Sequence, residues 1–173
     1  MACQTRKYAY GLCMSEIYSM PGHLIRRLQQ ISSSIFAQHM KAFGTDLTSP
    51  QYAALVMIHD HPKIDQARLA GAIAFDRATI GGVVDRLVSK GFVERTTNPK
   101  DRRARVLLLT AEGNEVLEKL KPVVEKCQAS ILPSLSEQEQ KEFIRLASKV
   151  ATAENNNSRA PLNMLKGNGA QEN

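Results

Sequence analysis

Tryptophan is absent from this sequence and aromatic residues make up only 5% of it, so a core drawn from its 43% hydrophobic residues must be mostly aliphatic. Cysteine is scarce too. Cys3, Cys13 and Cys127 are odd in number and stand at no metal-ligand spacing. This argues against a secreted disulfide framework and for a reducing compartment. No apolar run approaches the roughly 18 residues of a membrane span. The first twenty residues, MACQTRKYAYGLCMSEIYSM, hold no continuous apolar stretch of the kind a secretory signal needs. A cytoplasmic protein without membrane attachment is expected. G-x-S-x-G, G-x-x-x-x-G-K-[ST], H-E-x-x-H and C-x-x-C are all missing, so no enzyme, cofactor or metal site is read.

What is present is basic charge, concentrated in one place. The net charge is +6, with a pI of about 9.4. Residues 77 to 105 hold eight basic and three acidic side chains, and so five of the six net positive charges. A localised footprint for a polyanion is expected there. A protein-interaction module without DNA binding would account for amphipathic helices but not for that concentration.

The length suggests one compact unit with extensions. Residues 1–20 read as a flexible N-terminus. Leu24, Leu28, Ile31, Ile35 and Phe36 recur at helical spacing between Pro21 and Gly44, giving a first helix over 21–47 with its connection. Thr48 or Ser49 caps a second helix that Pro62 ends, with Gln51 three residues after Thr48 as in a capping box. Asp65 caps a short third helix. Asp76 caps a fourth over 76–90, with Gly91 as its stop. FVERTT and RARVLLL flank the turn-forming NPKD, which reads as a β-hairpin over 92–109. Thr110 caps a fifth helix, expected to bend at Pro122. SEQE, Ser136 to Glu139, is a capping box before a sixth, so helices fill 111–152. Residues 153–173, with ENNNS and KGNGAQEN, read as a disordered tail. The expected fold class is mainly α with a small β-hairpin wing.

Residues 64 to 95, IDQARLAGAIAFDRATIGGVVDRLVSKGFVER, have the grammar of a helix-turn-helix followed by a wing. In the second of its helices Ile80, Val83, Val84, Leu87 and Val88 form an apolar stripe. Arg77, Thr79, Gly81, Gly82 and Arg86 fall largely on the other side. An arginine can bond a guanine edge twice, and a threonine can bond a base or touch a thymine methyl. Two adjacent glycines in a helix interior cost roughly 0.5–1 kcal/mol each relative to alanine. On a DNA-facing surface they would admit the backbone close to the duplex. In the hairpin, Lys100, Asp101, Arg102, Arg103 and Arg105 cluster. Asp101 is expected to orient Arg103 or Arg105 through a charge-assisted bond.

The segment DRATIGGVVDRLVSKGFVER and the wing NPKDRRARVLLLT, with its Asp101-x-Arg103 pattern, resemble the MarR (multiple-antibiotic-resistance regulator) transcription factors, over roughly residues 20 to 152. The resemblance implies a winged helix-turn-helix over 48–110 in a homodimer. It places the first, fifth and sixth helices at the dimer interface and implies double-stranded DNA with a palindromic operator as partner. A ligand pocket would lie between that interface and the reading unit. DRATIGGVVDRL is similar to the branch associated with aromatic-compound catabolism. This implies repression relieved by a small aromatic carboxylate or its coenzyme A thioester. Effector candidates are His23, Arg26, Arg27 and His39 on the first helix and Tyr52 and His59 on the second, with Arg27 as the expected anion anchor. Relatives that sense peroxide or zinc set two alternatives. Cys13 lacks an obvious positive neighbour, and His59 and His61 have no matching Cys or Glu nearby.

Overall fold

The computed structural model describes residues 16–98 and 101–165. Helix α1 (Pro21–Phe43) ends in the left-handed Gly44, and α2 (Ser49–Asp60) follows. A two-residue strand, β1 (Ile64–Asp65), leads into α3 (Gln66–Ala72). Helix α4 (Arg77–Ser89) precedes the hairpin of β2 (Val93–Asn98) and β3 (Asp101–Leu109). Helices α5 (Ala111–Ala129) and α6 (Glu137–Ala153) complete the chain's main elements. The mainly helical class with a small β wing is the observed one. No helix among the described residues is long and apolar enough to cross a membrane.

The local signals act as their chemistry requires. Asp65 accepts from the Arg68 N–H at 2.9 Å, Asp76 from Thr79 at 2.8 Å and Thr110 from Gly113 at 3.0 Å. Each satisfies a helix-terminal donor that has no partner within its helix. Gln51 closes the α2 box by accepting from the Thr48 N–H at 2.9 Å, which also explains how this buried polar side chain is satisfied. Gly91 has φ of 75° and stops α4. Helix α5 runs unbroken through Pro122.

The sheet has the order β1-β3-β2, all antiparallel. Its third strand is an addition to the expected hairpin. Ile64 opposite Leu107 extends β3 inward, so the wing is rooted in the core. Ile58, Leu69, Ile80, Val84, Leu87, Leu107, Leu117 and Leu120 are buried together, joining the reading unit to α5. By contrast Leu24, Leu28 and Ile31 of α1 and Phe143, Ile144, Leu146 and Val150 of α6 are exposed.

The tail needs correction. Disorder was expected from residue 153, yet residues 154–165 have defined positions, including a 3-10 turn at Asn155–Asn157. Composition misleads because Asn side chains mimic backbone groups. Asn155 accepts from the Leu162 N–H at 2.8 Å and donates to its carbonyl at 3.1 Å. Leu165 then packs against the core.

Candidate nucleic-acid interface

Helix α4 buries Ile80, Val84 and Leu87, with Val83 and Val88 half-buried. Burying that stripe turns the opposite side outward. Arg77, Thr79, Gly82 and Arg86 are exposed and Gly81 is half-buried. A Cβ on Gly82 would meet nothing within 4 Å, and one on Gly81 would meet only the Gln66 Nε2 at 3.5 Å. Neither glycine is therefore required by packing among the described residues. Thr79 is less open than its sequence position implies. Its hydroxyl donates to Asp76 at 2.9 Å, which leaves the oxygen lone pairs and the methyl group to face a partner. The bonds from Thr79 hold the Asp76 carboxyl below the ordinary carboxylate range.

Between α4 and the wing lies an open groove lined by Gln66, Gly81, Asp85, Arg95 and Arg105. Arg95 bonds Asp85 at 2.5 Å, so the acid among the described groove residues is compensated. Gln66 and Arg95 were not among the expected site residues. Gln66 was signalled by the Asp65 cap, since it opens the helix; Arg95 had only its charge to mark it. Arg105 is exposed on β3. Asp101, Arg102 and Arg103 belong to the backbone of β3, but their side chains, and Lys100 altogether, lie outside the described residues. The expected Asp101 bond lies outside them as well.

None of the six effector candidates stands in the lining of the cavity that opens between α1 and α2. His23 stacks edge-on against Tyr18, with centroids 5.5 Å apart, and Arg26 bonds Gln30 on its own helix. Arg27 is exposed. His39 is half-buried on α1, while His59 is exposed and contacts Asp60 at 3.0 Å. Tyr52 is half-buried beside Phe36, 6.3 Å between ring centroids. That cavity has a volume of about 450 Å³. Phe36, Met40 and Leu47 give it apolar walls, and Lys41 and Asp46 stand in its lining. Only their charge marks Lys41 and Asp46 in the sequence. Asp46 pairs with Lys90, the C-cap of α4, and this ammonium holds its carboxyl below the usual range. Cys127 is buried, which pushes its thiol up, away from the reactive thiolate. Cys3 and Cys13 lie outside the described residues.

Comparison with known proteins decides the family. The MarR family model matches residues 47–104. The transcriptional regulator HosA of Escherichia coli is 35% identical over 122 residues, 69% of this chain and 90% of HosA. The chain belongs to the MarR family. It is thus a transcriptional regulator and not an enzyme. The HTH-type transcriptional repressor NicR of Pseudomonas putida is 32% identical over 82% of this chain and 88% of its own. Among solved structures, BpsR of Bordetella bronchiseptica, whose DNA binding is regulated by 6-hydroxynicotinic acid, is 27% identical with a TM-score of 0.72, over 84% of this chain and 98% of BpsR. A MarR mutant from E. coli complexed with operator DNA is 28% identical with a TM-score of 0.69, over 75% and 91%.

Proposed function

We propose that this regulator is a homodimeric repressor that holds a palindromic operator and releases it on binding a small aromatic carboxylate. The observation that carries the reading is the outward side of α4, where Arg77, Thr79, Gly82 and Arg86 are exposed and Gly81 is half-buried beside a basic wing. Arg77 and Thr79 lie in the first turn, the end a recognition helix presents to base edges. Arg86 and Arg105, with Lys100, Arg102 and Arg103 of the wing, hold phosphates or a minor groove. The repressor reading is supported by NicR, and the aromatic-acid reading by BpsR.

The effector site is the cavity between α1 and α2. Its volume of about 450 Å³ suits a single-ring acid. A coenzyme A thioester would leave its nucleotide portion outside, so the free acid is the proposed ligand. Phe36, Met40 and Leu47 bury the ring and Lys41 neutralises the carboxylate. The lining also offers a route to DNA. Asp46 joins the cavity to Lys90 at the end of α4, so a ligand that shifts the α1–α2 connection shifts the recognition helix. An operon of aromatic catabolism is the corresponding target.

The test is release of a labelled operator duplex, read by fluorescence anisotropy, on titrating benzoate, 4-hydroxybenzoate or 6-hydroxynicotinate. Lys41→Ala should leave operator affinity intact and raise the acid concentration for half-release about tenfold or more, the scale of one lost charged bond. Arg27→Ala is the control from the exposed part of α1. A normal response in Lys41→Ala with a lost response in Arg27→Ala would move the anchor out of the cavity.

A further inference from the structure

From Asn155 to Leu165 the sequence carries one charged side chain, Arg159, and the fold brings it to the start of the recognition helix. Asn163 donates its backbone N–H to the Gly71 carbonyl of α3 at 2.8 Å. Its side chain occupies the notch left by that glycine, with Nδ2 only 2.8 Å from where a Gly71 Cβ would sit. Leu165 packs against the core beyond it. Anchored in this way, the segment sets the Arg159 Nη2 3.2 Å from the Asp76 Oδ2.

Stability does not account for this placement. The Arg159 side chain is 89% exposed, and such pairs contribute little to folding. Its effect is electrostatic. Asp76 must accept hydrogen bonds to cap α4, yet a lone carboxylate at the leading end of a DNA-reading helix repels phosphate. Arg159 offsets that charge. One nitrogen of a five-donor fork is used for it, and the side chain stands in solvent on the edge of the surface that carries Arg77.

We propose that the segment after α6 is a C-terminal arm for DNA, in which Arg159 contacts a backbone phosphate beside the recognition helix. The arm adds a third element to the helix and the wing. It rests on the DNA binding of the family and is independent of the effector. A phosphate contact positions the protein without reading sequence, so the arm strengthens binding to all duplexes alike.

The test uses the full-length chain, a duplex that the wild-type protein has selected from a random pool, and an unselected duplex of equal length. Anisotropy titrations are run at several NaCl concentrations. Arg159→Ala is expected to weaken binding to both duplexes about three- to tenfold and to lower the salt slope by about one per bound protomer. Its melting temperature should stay that of wild type. Arg159→Lys should retain most of the affinity, and a chain ending at Glu154 should match Arg159→Ala. Wild-type affinity and slope in Arg159→Ala would overturn the arm. Tighter binding would overturn it too, in favour of a tail that screens α4. Failure of the wild-type protein to select any duplex would instead count against operator binding by this chain, and the arm would fall with it.

Discussion

Gly113 shows how differently glycines act in one chain. It sits in the first turn of α5, where a Cβ would lie 2.0 Å from the Phe92 carbonyl oxygen. That carbonyl accepts from the Thr110 N–H at 3.1 Å, and the Thr110 hydroxyl donates to the Gly91 carbonyl at 2.6 Å. Helix α5 is therefore seated directly on the backbone that starts the wing. Gly113→Ala has no flexible side chain to push aside and must move backbone. It should destabilise the fold by about 3 kcal/mol, measurable as a drop in the urea midpoint. A loss under about 1 kcal/mol would contradict the close seating. Nothing in the sequence marks this glycine, which reads as an ordinary tolerated residue, whereas the Gly81-Gly82 pair draws notice and is needed by no packing among the described residues.

Among the elements, what was legible followed from local chemistry. Asp65, Asp76, Thr110 and Ser136 announce helix starts because a cap bonds only two or three residues ahead. The apolar stripe of α4 was legible for the same reason, since it is fixed by helical period. Long-range pairings were not. The two residues of β1 are too few to show alternation, and Arg159 meets Asp76 across 83 positions. Lys41 lies on the exposed part of an amphipathic helix, so only the cavity singles it out. The Ser136–Glu139 box offers a check by pH. Glu139 accepts from the Ser136 hydroxyl at 2.7 Å and its N–H at 2.8 Å, bonds that lower its pKa from the usual 4.5. A depressed folded value means that its contribution is present above the unfolded pKa and lost as pH falls through the folded one. Wild type should melt above Glu139→Ala at pH 7, and the gap should narrow at pH 3. A constant gap would mean that the charge of the box is irrelevant.

At the scale of the whole molecule, the described residues leave an apolar and a basic surface uncovered. The apolar sides of α1 and α6 expose Leu24, Leu28, Phe143 and Ile144, the surface proposed to pair with a second copy. The polar side of α4 carries arginines around two glycines that weaken their own helix. The fold accepts that weakness at the surface proposed to meet DNA, and the two properties can be separated in one variant. Gly82→Leu puts a good helix former where a Cβ meets nothing within 4 Å. Its melting temperature and its affinity for the selected palindromic duplex should be measured side by side with wild type. Close approach of this surface to DNA predicts that operator binding is lost while stability rises by about 0.5–1 kcal/mol. Operator binding at wild-type strength in a folded Gly82→Leu protein would contradict it.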